Sequence, residues 1–476
     1  MTVGGASFSS MSLSFGGEAA AKTKQTGYVL CMPSPMSSEL FAVFLKTISA
    51  AFFDDLCRKH GCRGRRGLFP VAVVVWLMIN QRLLGGGTLA MAVQLVAQGA
   101  WRLWQTNPCK RTREGKISTN TGGYCQARQK LSTLLVADVA DHVLQQLRAQ
   151  IQPEAAPLFV VDGTTLRLRH QHDLIEAFPP GHNQHGSNHW PMIRMVVFHD
   201  AHTGLATRPS WGPLYGAHAV SEQHLAEQAL GRLPADAIVI GDANFGIFAF
   251  AHAVQQSRRE LILRLTLSRA QSLLGTLCNG THRSVVWKPS RWDRKAHPDL
   301  PAEASVKGWV IVCPNPANPS EKLCLFTTMD SAAEDIVALY KMRWNVETDL
   351  RSLKRTVSLH EISGKAVAMV EKEILLAVAA YNLVRAIMAL AAQRAGIEPR
   401  QLSFAGVQAA VLAALPGLDH ANTEEECNHK MDRLLRYAAQ ARLPVRTRQR
   451  TYSREIWGRG GHFPFRKSSP LPETTS

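Results

Sequence analysis

The stretch from Tyr340 to Lys354 reads Tyr-Lys-Met-Arg-Trp-Asn-Val-Glu-Thr-Asp-Leu-Arg-Ser-Leu-Lys and is the most informative part of this chain. A helix turns about 100° per residue, so these positions fall on two stripes. The apolar stripe comprises Leu339, Met342, Val346, Leu350 and Leu353. The second stripe lies about a quarter-turn away and comprises Tyr340, Arg343, Glu347, Arg351 and Lys354. The pattern predicts an amphipathic helix with one carboxylate among cations. A solvated helix with i,i+4 ion pairs would show the same pattern.

The composition indicates a globular protein with an anionic partner. The chain has 476 residues, 46% of them hydrophobic, and a formal net charge of +17 from 54 Lys+Arg against 37 Asp+Glu. A charge of this size points to a polyanion, most simply nucleic acid, although some basic proteins bind none. The length allows about two or three domains.

The cysteines and the apolar segments argue against several protein classes. Nine cysteines are scattered with no Cys-x-x-Cys pair, which disfavours a disulfide framework or a zinc ribbon and fits a reducing cytoplasm. The first 38 residues lack the regions of a signal peptide and are interpreted as a flexible tail. Residues 69–79 are too short to cross a membrane. Residues 374–392 are long enough, but Arg385 in their middle would cost about 2.5–3.5 kcal/mol, so a buried core helix is predicted.

The order of the predicted elements indicates an α/β fold. Residues 39–150 carry helical patterns, and the basic stretch 107–123 within them is either a phosphate-contacting loop or a solvated linker. Beyond residue 155, helices alternate with strand signals at 157–162, 192–198, 205–211, 237–242 and 261–266. Residues 269–324 are predicted to form a β-rich insertion, and helices return from 332 to about 395. The whole predicts a mixed sheet flanked by helices.

Two aspartates, Asp162 and Asp242, stand at the carboxyl ends of predicted apolar strands. The end of a strand is a rigid place from which a carboxylate can point into a cleft. Mg²⁺ takes oxygen ligands, and two such ions serve in-line phosphoryl transfer. With Glu347, these aspartates form a candidate set of metal ligands. Either aspartate alone would equally suit an ordinary turn at a strand end.

These motifs resemble those of a known enzyme family. Tyr340-x2-Arg343-x3-Glu347-x6-Lys354 resembles the signature of the YREK branch of DDE transposases, the enzymes of bacterial insertion sequences of the insertion-sequence-four family. Asp162-Gly-Thr resembles the first-acid motif of this family, and Gly241-Asp-Ala-Asn-Phe-Gly246 the second, with Ala243 where Arg is frequent. The likeness covers roughly 155–395.

The resemblance implies an RNase H-like catalytic core that cuts the ends of a mobile element and joins the 3′ end to target DNA. It implies Mg²⁺ or Mn²⁺, in two sites, held by Asp162, Asp242 and Glu347, and DNA contacts by Tyr340, Arg343 and Lys354. The expected partners are element ends and target DNA, with a homodimer in a synaptic complex, no membrane and no nucleotide cofactor. The location implied is the bacterial cytoplasm, at the nucleoid. A nuclease that cuts without joining and an inactive DNA-binding protein remain alternatives.

Composition, pattern and the resemblance together divide the chain into predicted regions. These are a tail over 1–38, a helical DNA-binding domain over 39–150, the catalytic core over 155–268 and 325–395, the insertion over 269–324, and a helical region with a basic tail over 396–476. In the family an aromatic residue of the insertion can stack on a flipped base, for which Trp287, Trp292 and Trp309 are candidates beside an ordinary packing role. His182, His185 and His189 have spacings that a zinc site could use, although solvated loop histidines are the simpler interpretation.

Overall fold

The structure is a computed structural model, and it describes residues 49–62, 67–99, 109–151, 157–183, 186–316, 318–419 and 424–444. The predicted tail over 1–38, His185 and the basic tail beyond residue 444 lie outside these ranges.

The described residues before 152 are predominantly helical, as predicted. The helices are α1 (Ala50–Lys59), α2 (Val71–Leu83), α3 (Leu89–Ala97), α4 (Lys110–Arg113), α5 (Gly122–Lys130) and α6 (Thr133–Ile151). Apolar side chains of α2 and α6 belong to the same core as the sheet that follows. The helical content is therefore confirmed, while the boundary of a separate N-terminal domain stays a prediction.

Within the described residues the strands form an eight-stranded mixed sheet, in the order β5-β4-β1-β6-β7-β10-β9-β8, and a two-stranded ribbon of β2 and β3. The strands are β1 (Leu158–Arg167), β2 (His182–Asn183), β3 (Gly186–Ser187), β4 (Met192–Asp200), β5 (Ser210–Pro213), β6 (Ile238–Gly241), β7 (Glu260–Arg264), β8 (Thr281–Trp287), β9 (Val306–Asn315) and β10 (Asn318–Thr327). β1, β6 and β7 are parallel, and the other neighbours are antiparallel. The predicted α/β fold with a mixed sheet is confirmed.

Helices cover both faces of the sheet. Those inserted between its strands are α7 (His172–Ala177), α8 (Glu222–Leu230), α9 (Phe248–Gln256), α10 (Leu267–Leu274) and α11 (Arg291–Ala296). Those after its last strand are α12 (Ala333–Lys341), α13 (Asn345–Arg351), α14 (Val367–Ala395), α15 (Phe404–Asp419) and α16 (Glu424–Gln440). Alternate residues of β1 point to opposite faces. Val160 packs with α14, and Phe159 and Val161 pack with α8 and α9.

The predicted insertion contributes its strands to the main sheet. Leu325 and Phe326 of β10 pair with Arg264 and Leu263 of β7, so β10, β9 and β8 extend the sheet beyond the parallel strands. The β-rich character of this region is as predicted. Its strands continue the core sheet, and Val310 and Val312 share an apolar cluster with Phe159 and Val161.

The longest helix is a core element. α14 is long and apolar enough to cross a membrane, but its most apolar window is completely buried inside the fold. Arg385 and Asn382 are buried with partners: the Asn382 side chain accepts a hydrogen bond from the Ala206 N–H at 2.7 Å and donates one to the Ala206 carbonyl at 2.8 Å. These pairings allow polar groups to lie in the core, because a buried polar group is costly only when it is unpaired.

Candidate active site

Asp162 and Asp242 lie beside one another, Asp162 in β1 and Asp242 directly after the parallel strand β6. The prediction that Asp162 ends its strand is wrong, because β1 continues to Arg167 through its pairing with β4. The β1–β6 ladder pairs Leu158 with Ile238 and Val160 with Ile240, and its last pair precedes both aspartates by two residues. Continuing the register sets Asp162 opposite Asp242. Because side chains alternate along a strand, Asp162 shares the face of Val160, on which α13 and α14 pack. The structure therefore brings these two predicted acids together.

Asp162 is a partly buried carboxyl with another acid nearby. Burial first, and then the charges of Asp242 and Glu222, raise the pKa of Asp162 to about 6. The hydrogen bond from the Gly163 N–H, at 2.7 Å, and the Arg343 guanidinium act in the opposite direction without cancelling this effect. Like charges that crowd at a desolvated site favour a proton or a cation between them.

The loop after Asp242 is built by close backbone packing. The Asn244 N–H donates to Asp242 Oδ1 at 2.9 Å, and the Gly246 N–H donates to the Asp242 carbonyl at 3.1 Å. A Cβ on Gly246 would lie 2.0 Å from the Arg264 carbonyl oxygen, so only glycine fits there. Arg269 donates to the carbonyls of Ala243 and Gly246 at 3.2 and 3.1 Å. The Arg269 guanidinium thus reaches this loop, although residue 243 itself is alanine where arginine is frequent in the resembled family.

Glu347 lies on α13 with its side chain 56% exposed. Val346 and Leu350 bury the opposite side of this helix in the core. Arg343 connects Glu347 to the aspartates: its Nη2 lies 3.7 Å from Glu347 Oε1, and its charge lowers the pKa of Asp162. Arg343 is therefore the residue that relates Glu347 to Asp162, and the joint metal site of all three acids stays a prediction.

The donor set suits a hard divalent cation. Asp162 and Asp242 lie side by side, Glu347 lies next to Arg343, and burial is the main cause of the raised pKa of Asp162. Carboxylate oxygens are the ligands that Mg²⁺ and Mn²⁺ take. Among the described residues, no three His, Cys, Asp or Glu side chains are already arranged as a complete metal cage. A cation bound by this set would hold Glu347 as well as the two aspartates.

The second stripe of the motif, predicted to lie along one side of a single helix, has both buried and exposed residues. Tyr340 and Arg343 are buried, whereas Glu347 and Arg351 are exposed. Residues Met342–Trp344 form a 3₁₀ turn and Ser352–Thr356 a π turn, so the rotation per residue departs from 100° on either side of Glu347. The single continuous helical edge expected from the sequence is wrong in this respect. The apolar stripe is confirmed, with Val346, Leu350 and Leu353 buried.

The other predicted DNA-contacting residues lie around the acids. Burial raises the pKa of Tyr340 to about 12, with Arg343 and Arg264 lowering it and Asp242 raising it, which places the phenol within reach of all three charges. Lys354 is half-buried in the π turn, where burial and then Arg355 lower its pKa.

Arg264 is a site residue that the sequence interpretation missed. It ends β7, and Leu263 before it pairs with Gly241, so Arg264 stands beside Asp242. Ile262, two residues earlier, faces the core under α14, which puts Arg264 on the same face as Asp162. The available signal was a third parallel strand that ends on a charged residue.

The three tryptophans of the insertion differ in exposure. Trp287 is buried against Phe248 and Phe326, with ring centroids 5.9 and 5.0 Å away. Trp309 is half-buried beside His282. Trp292 is 75% exposed on α11, with Lys295 Nζ 5.8 Å from its ring. Trp292 is thus the residue of the three with a free ring face.

The structure describes His182 and His189, two of the three histidines whose spacing a zinc site could use. His189 stacks on His170 with centroids 4.1 Å apart, and His182 lies in β2. No metal-like cluster of three donors includes them within the described ranges.

Comparison with known protein families supports one kind of enzyme. Residues 153–383 match a family model described as a transposase DDE domain, and this range contains Asp162, Asp242, Glu347 and the motif from Tyr340 to Lys354. No curated protein matches the chain. The family match supports a DDE transposase, a DNA-processing enzyme.

Proposed function

We propose that this protein is a DNA transposase of the insertion-sequence-four type, which cuts the ends of its element and joins the freed 3′-hydroxyl to target DNA. The observation that carries the proposal is the proximity of Asp162, in the middle of β1, to Asp242, which directly follows the parallel strand β6. An RNase H-like core brings the acids of neighbouring strands together in this way. The transposase family match over the same residues supports this assignment.

The acids provide the metal-binding part of the reaction. Asp162, Asp242 and Glu347 would hold two Mg²⁺ or Mn²⁺ ions, which supply activation of the attacking oxygen and stabilisation of the leaving oxygen. Asp162 must be ionised to serve as a ligand, and burial opposes its ionisation. Water and then the 3′-hydroxyl are the successive nucleophiles.

The cations near the acids provide the DNA-binding part. We assign contacts near the scissile phosphate to Tyr340, Arg343 and Lys354, and add Arg264 because it stands beside Asp242 on the face of the acids. Arginine and lysine on this edge match the charge of the backbone. The exposed ring of Trp292, on a helix with Arg291, Arg294 and Lys295, is assigned to stacking on an unpaired base.

The assembly and location follow from the same assignment. A transposase must hold two element ends together, so the active form is a homodimer in a synaptic complex. It works in the bacterial cytoplasm on nucleoid DNA, with neither a membrane partner nor a nucleotide cofactor.

A cleavage assay tests the proposal. The protein is incubated with a duplex that carries its own element end, with Mg²⁺ or Mn²⁺, alongside Glu347→Gln. We expect metal-dependent 3′ nicking at the element boundary by the wild type and none by the variant. Asp162→Asn and Asp242→Asn should likewise abolish nicking while DNA affinity stays within about a few-fold, because phosphate contacts carry most of the affinity.

The outcomes separate the rival functions. Supplying target DNA and scoring strand joining distinguishes a transposase from a nuclease that only cuts. Tight binding without cutting by the wild type under both metals would identify an inactive DNA-binding protein. Full cutting by any one acid variant would remove that residue from the metal site.

A further inference from the structure

The first turn of α8 lies directly behind the first catalytic strand. A Cβ built on Gly163 would lie 2.4 Å from Glu222 Cδ and 2.5 Å from Glu222 Oε1. The Glu222 carboxyl therefore occupies the space that any other residue at 163 would need. Gly163 follows Asp162 and faces the opposite side of the sheet, so Glu222 supports β1 from the side away from the metal ligands.

The same carboxyl also binds the loop of the second acid. Asn244 Nδ2 donates a hydrogen bond to Glu222 Oε2. Gln223 Nε2 donates to the Asn244 carbonyl at 2.7 Å and to Asn244 Oδ1 at 2.9 Å. The Asn244 N–H in turn donates to Asp242 Oδ1 at 2.9 Å. One side chain of α8 thus contacts the neighbour of Asp162 and, through Asn244, orients Asp242.

This connection bridges a gap in the sheet. The ladder between β1 and β6 ends at the pair Val160–Ile240, so the backbone pairing does not extend to the aspartates. The two carboxylates repel each other, as their effect on the pKa of Asp162 shows. β1 stays paired with β4 at Asp162 and Gly163, whereas Asp242 lies beyond the end of β6. Repulsion between the carboxylates would therefore move the Asp242 loop, and the hydrogen bond from Asn244 to Glu222, which packs on Gly163, opposes that movement.

We propose that Glu222 is a positioning residue that fixes the distance between Asp162 and Asp242 through its contact with Gly163 and its hydrogen bond from Asn244. This inference rests on the proposed function, since it assigns the two aspartates to one metal site. Glu222 acts through its size and through its hydrogen-bond acceptor oxygen. A glutamine can fill the same space and accept the same bond. Its negative charge is not the required property.

The contact itself is tested by stability, independently of any activity. Gly163→Ala should lower the melting temperature in the wild-type background, because the new Cβ meets the Glu222 carboxyl. In the Glu222→Ala background, Gly163→Ala should lower the melting temperature much less. The matched control is the Glu227→Ala background, because Glu227 is a partly buried glutamate of the same helix. There, Gly163→Ala should lower the melting temperature as much as in the wild type. Equal costs in all three backgrounds would overturn the contact.

The positioning role is tested by cutting and by metal binding. Glu222→Ala should reduce nicking by about 10²-fold, the effect of a reactive group misplaced by roughly 1 Å, with DNA affinity unchanged. Glu222→Gln should restore most of this loss, and Glu222→Ala with Asn244→Ala should be no worse than Glu222→Ala alone. Mn²⁺ binding to the free protein, followed by electron paramagnetic resonance, should weaken in Glu222→Ala and not in Glu227→Ala.

Each alternative result decides against a part of the inference. Wild-type nicking by Glu222→Ala would overturn the role. A Glu222→Gln variant as inactive as Glu222→Ala would show that the charge itself is used, as in a fourth metal ligand. Absence of nicking by the wild type would overturn the proposed function, while the stability cycle would still decide whether Glu222 fixes the strand of Asp162.

Discussion

Asp349 of α13 and Arg385 of α14 form a buried ion pair, with side chains 1% and 3% exposed. Arg400 Nη1 donates to the same Asp349 oxygen at 2.6 Å, and Arg400 also donates to the Ala201 carbonyl at 3.0 Å. Burial acts to raise the pKa of Asp349, but the two arginines outweigh it and hold that pKa below its ordinary value. Because Asp349 follows Glu347 by two residues, this cluster anchors the helix that carries the third acid.

Asp349→Ala should be strongly destabilising. It leaves two guanidinium groups in the core without their anion, and breaking a buried pair in this way costs about 3–5 kcal/mol. Chemical denaturation measures the loss. The control is Asp330→Ala, an exposed aspartate before α12, which should change stability by less than about 0.5 kcal/mol. If Asp349→Ala lowered the free energy of unfolding by so little, the cluster of Asp349, Arg385 and Arg400 would not be needed for stability.

Lys354→Ala should weaken DNA binding and flatten its salt dependence. Removing one phosphate contact lowers the slope of log K against log salt by about 0.9. Affinity for an element-end duplex is measured by titration at several salt concentrations. Lys354→Arg keeps the charge and should keep the slope. An unchanged slope in the alanine variant would argue against a phosphate contact by Lys354.

His199 should make stability depend on pH. Burial, together with the charges of Arg385 and Arg400, lowers the pKa of His199 to about 4, and the charge of Asp349 acts in the opposite direction. Both ring nitrogens of His199 lack a hydrogen-bond partner among the described residues. The ordinary pKa of histidine is about 6.5. As pH falls from about 6.5 to 4, the unfolded chain gains a proton that the folded protein does not, so stability is lost at up to about 1.4 kcal/mol per pH unit.

His199→Phe should remove this contribution to the slope. The measurement is the free energy of unfolding at about pH 7, 6 and 5. His172 is 91% exposed, and His172→Phe is the control that should retain the wild-type slope. A His199→Phe variant with the wild-type slope would mean that other groups produce the acid sensitivity.

Trp292 and Trp287 should respond oppositely to truncation. Trp292→Ala removes an exposed ring and should leave stability within about 0.5 kcal/mol, yet lose about 1–3 kcal/mol of affinity for an unpaired base. Trp287→Ala removes a buried ring and should cost about 3–5 kcal/mol of stability. Denaturation and binding to a duplex with an unpaired nucleotide measure the two effects. Unchanged binding by Trp292→Ala would exclude it from stacking.

The parts of the fold that depend on local pattern were predictable from the sequence. The apolar runs before Asp162 and Asp242 predicted β1 and β6, although β1 continues beyond Asp162 to Arg167. The buried stripe of Val346, Leu350 and Leu353 followed from helical periodicity. In each case neighbours along the chain supply the physical cause.

The parts that depend on contacts between distant residues were not predictable. Tyr340 is buried at the end of α12, and Arg343 is buried in the 3₁₀ turn that follows, where the regular helix that periodicity assumes is interrupted. Glu222 reaches Gly163 from a helix 59 residues further along the chain, a contact that no local pattern encodes. Arg264 joins the site through strand pairing, which sequence order alone does not fix.

The continuous pairing of β7, β10, β9 and β8 has a consequence for fragments of the chain. A protease that cuts in the exposed segment between Trp287 and Val306 would leave both pieces hydrogen-bonded through β8 and β9. The nicked protein should therefore elute as one particle and separate only in denaturant. By contrast, a gene deletion of 269–324 would keep residues 325–327, which pair with β7, but remove β9 from their other side. The exposed row of unpaired backbone groups is the kind of edge that promotes aggregation.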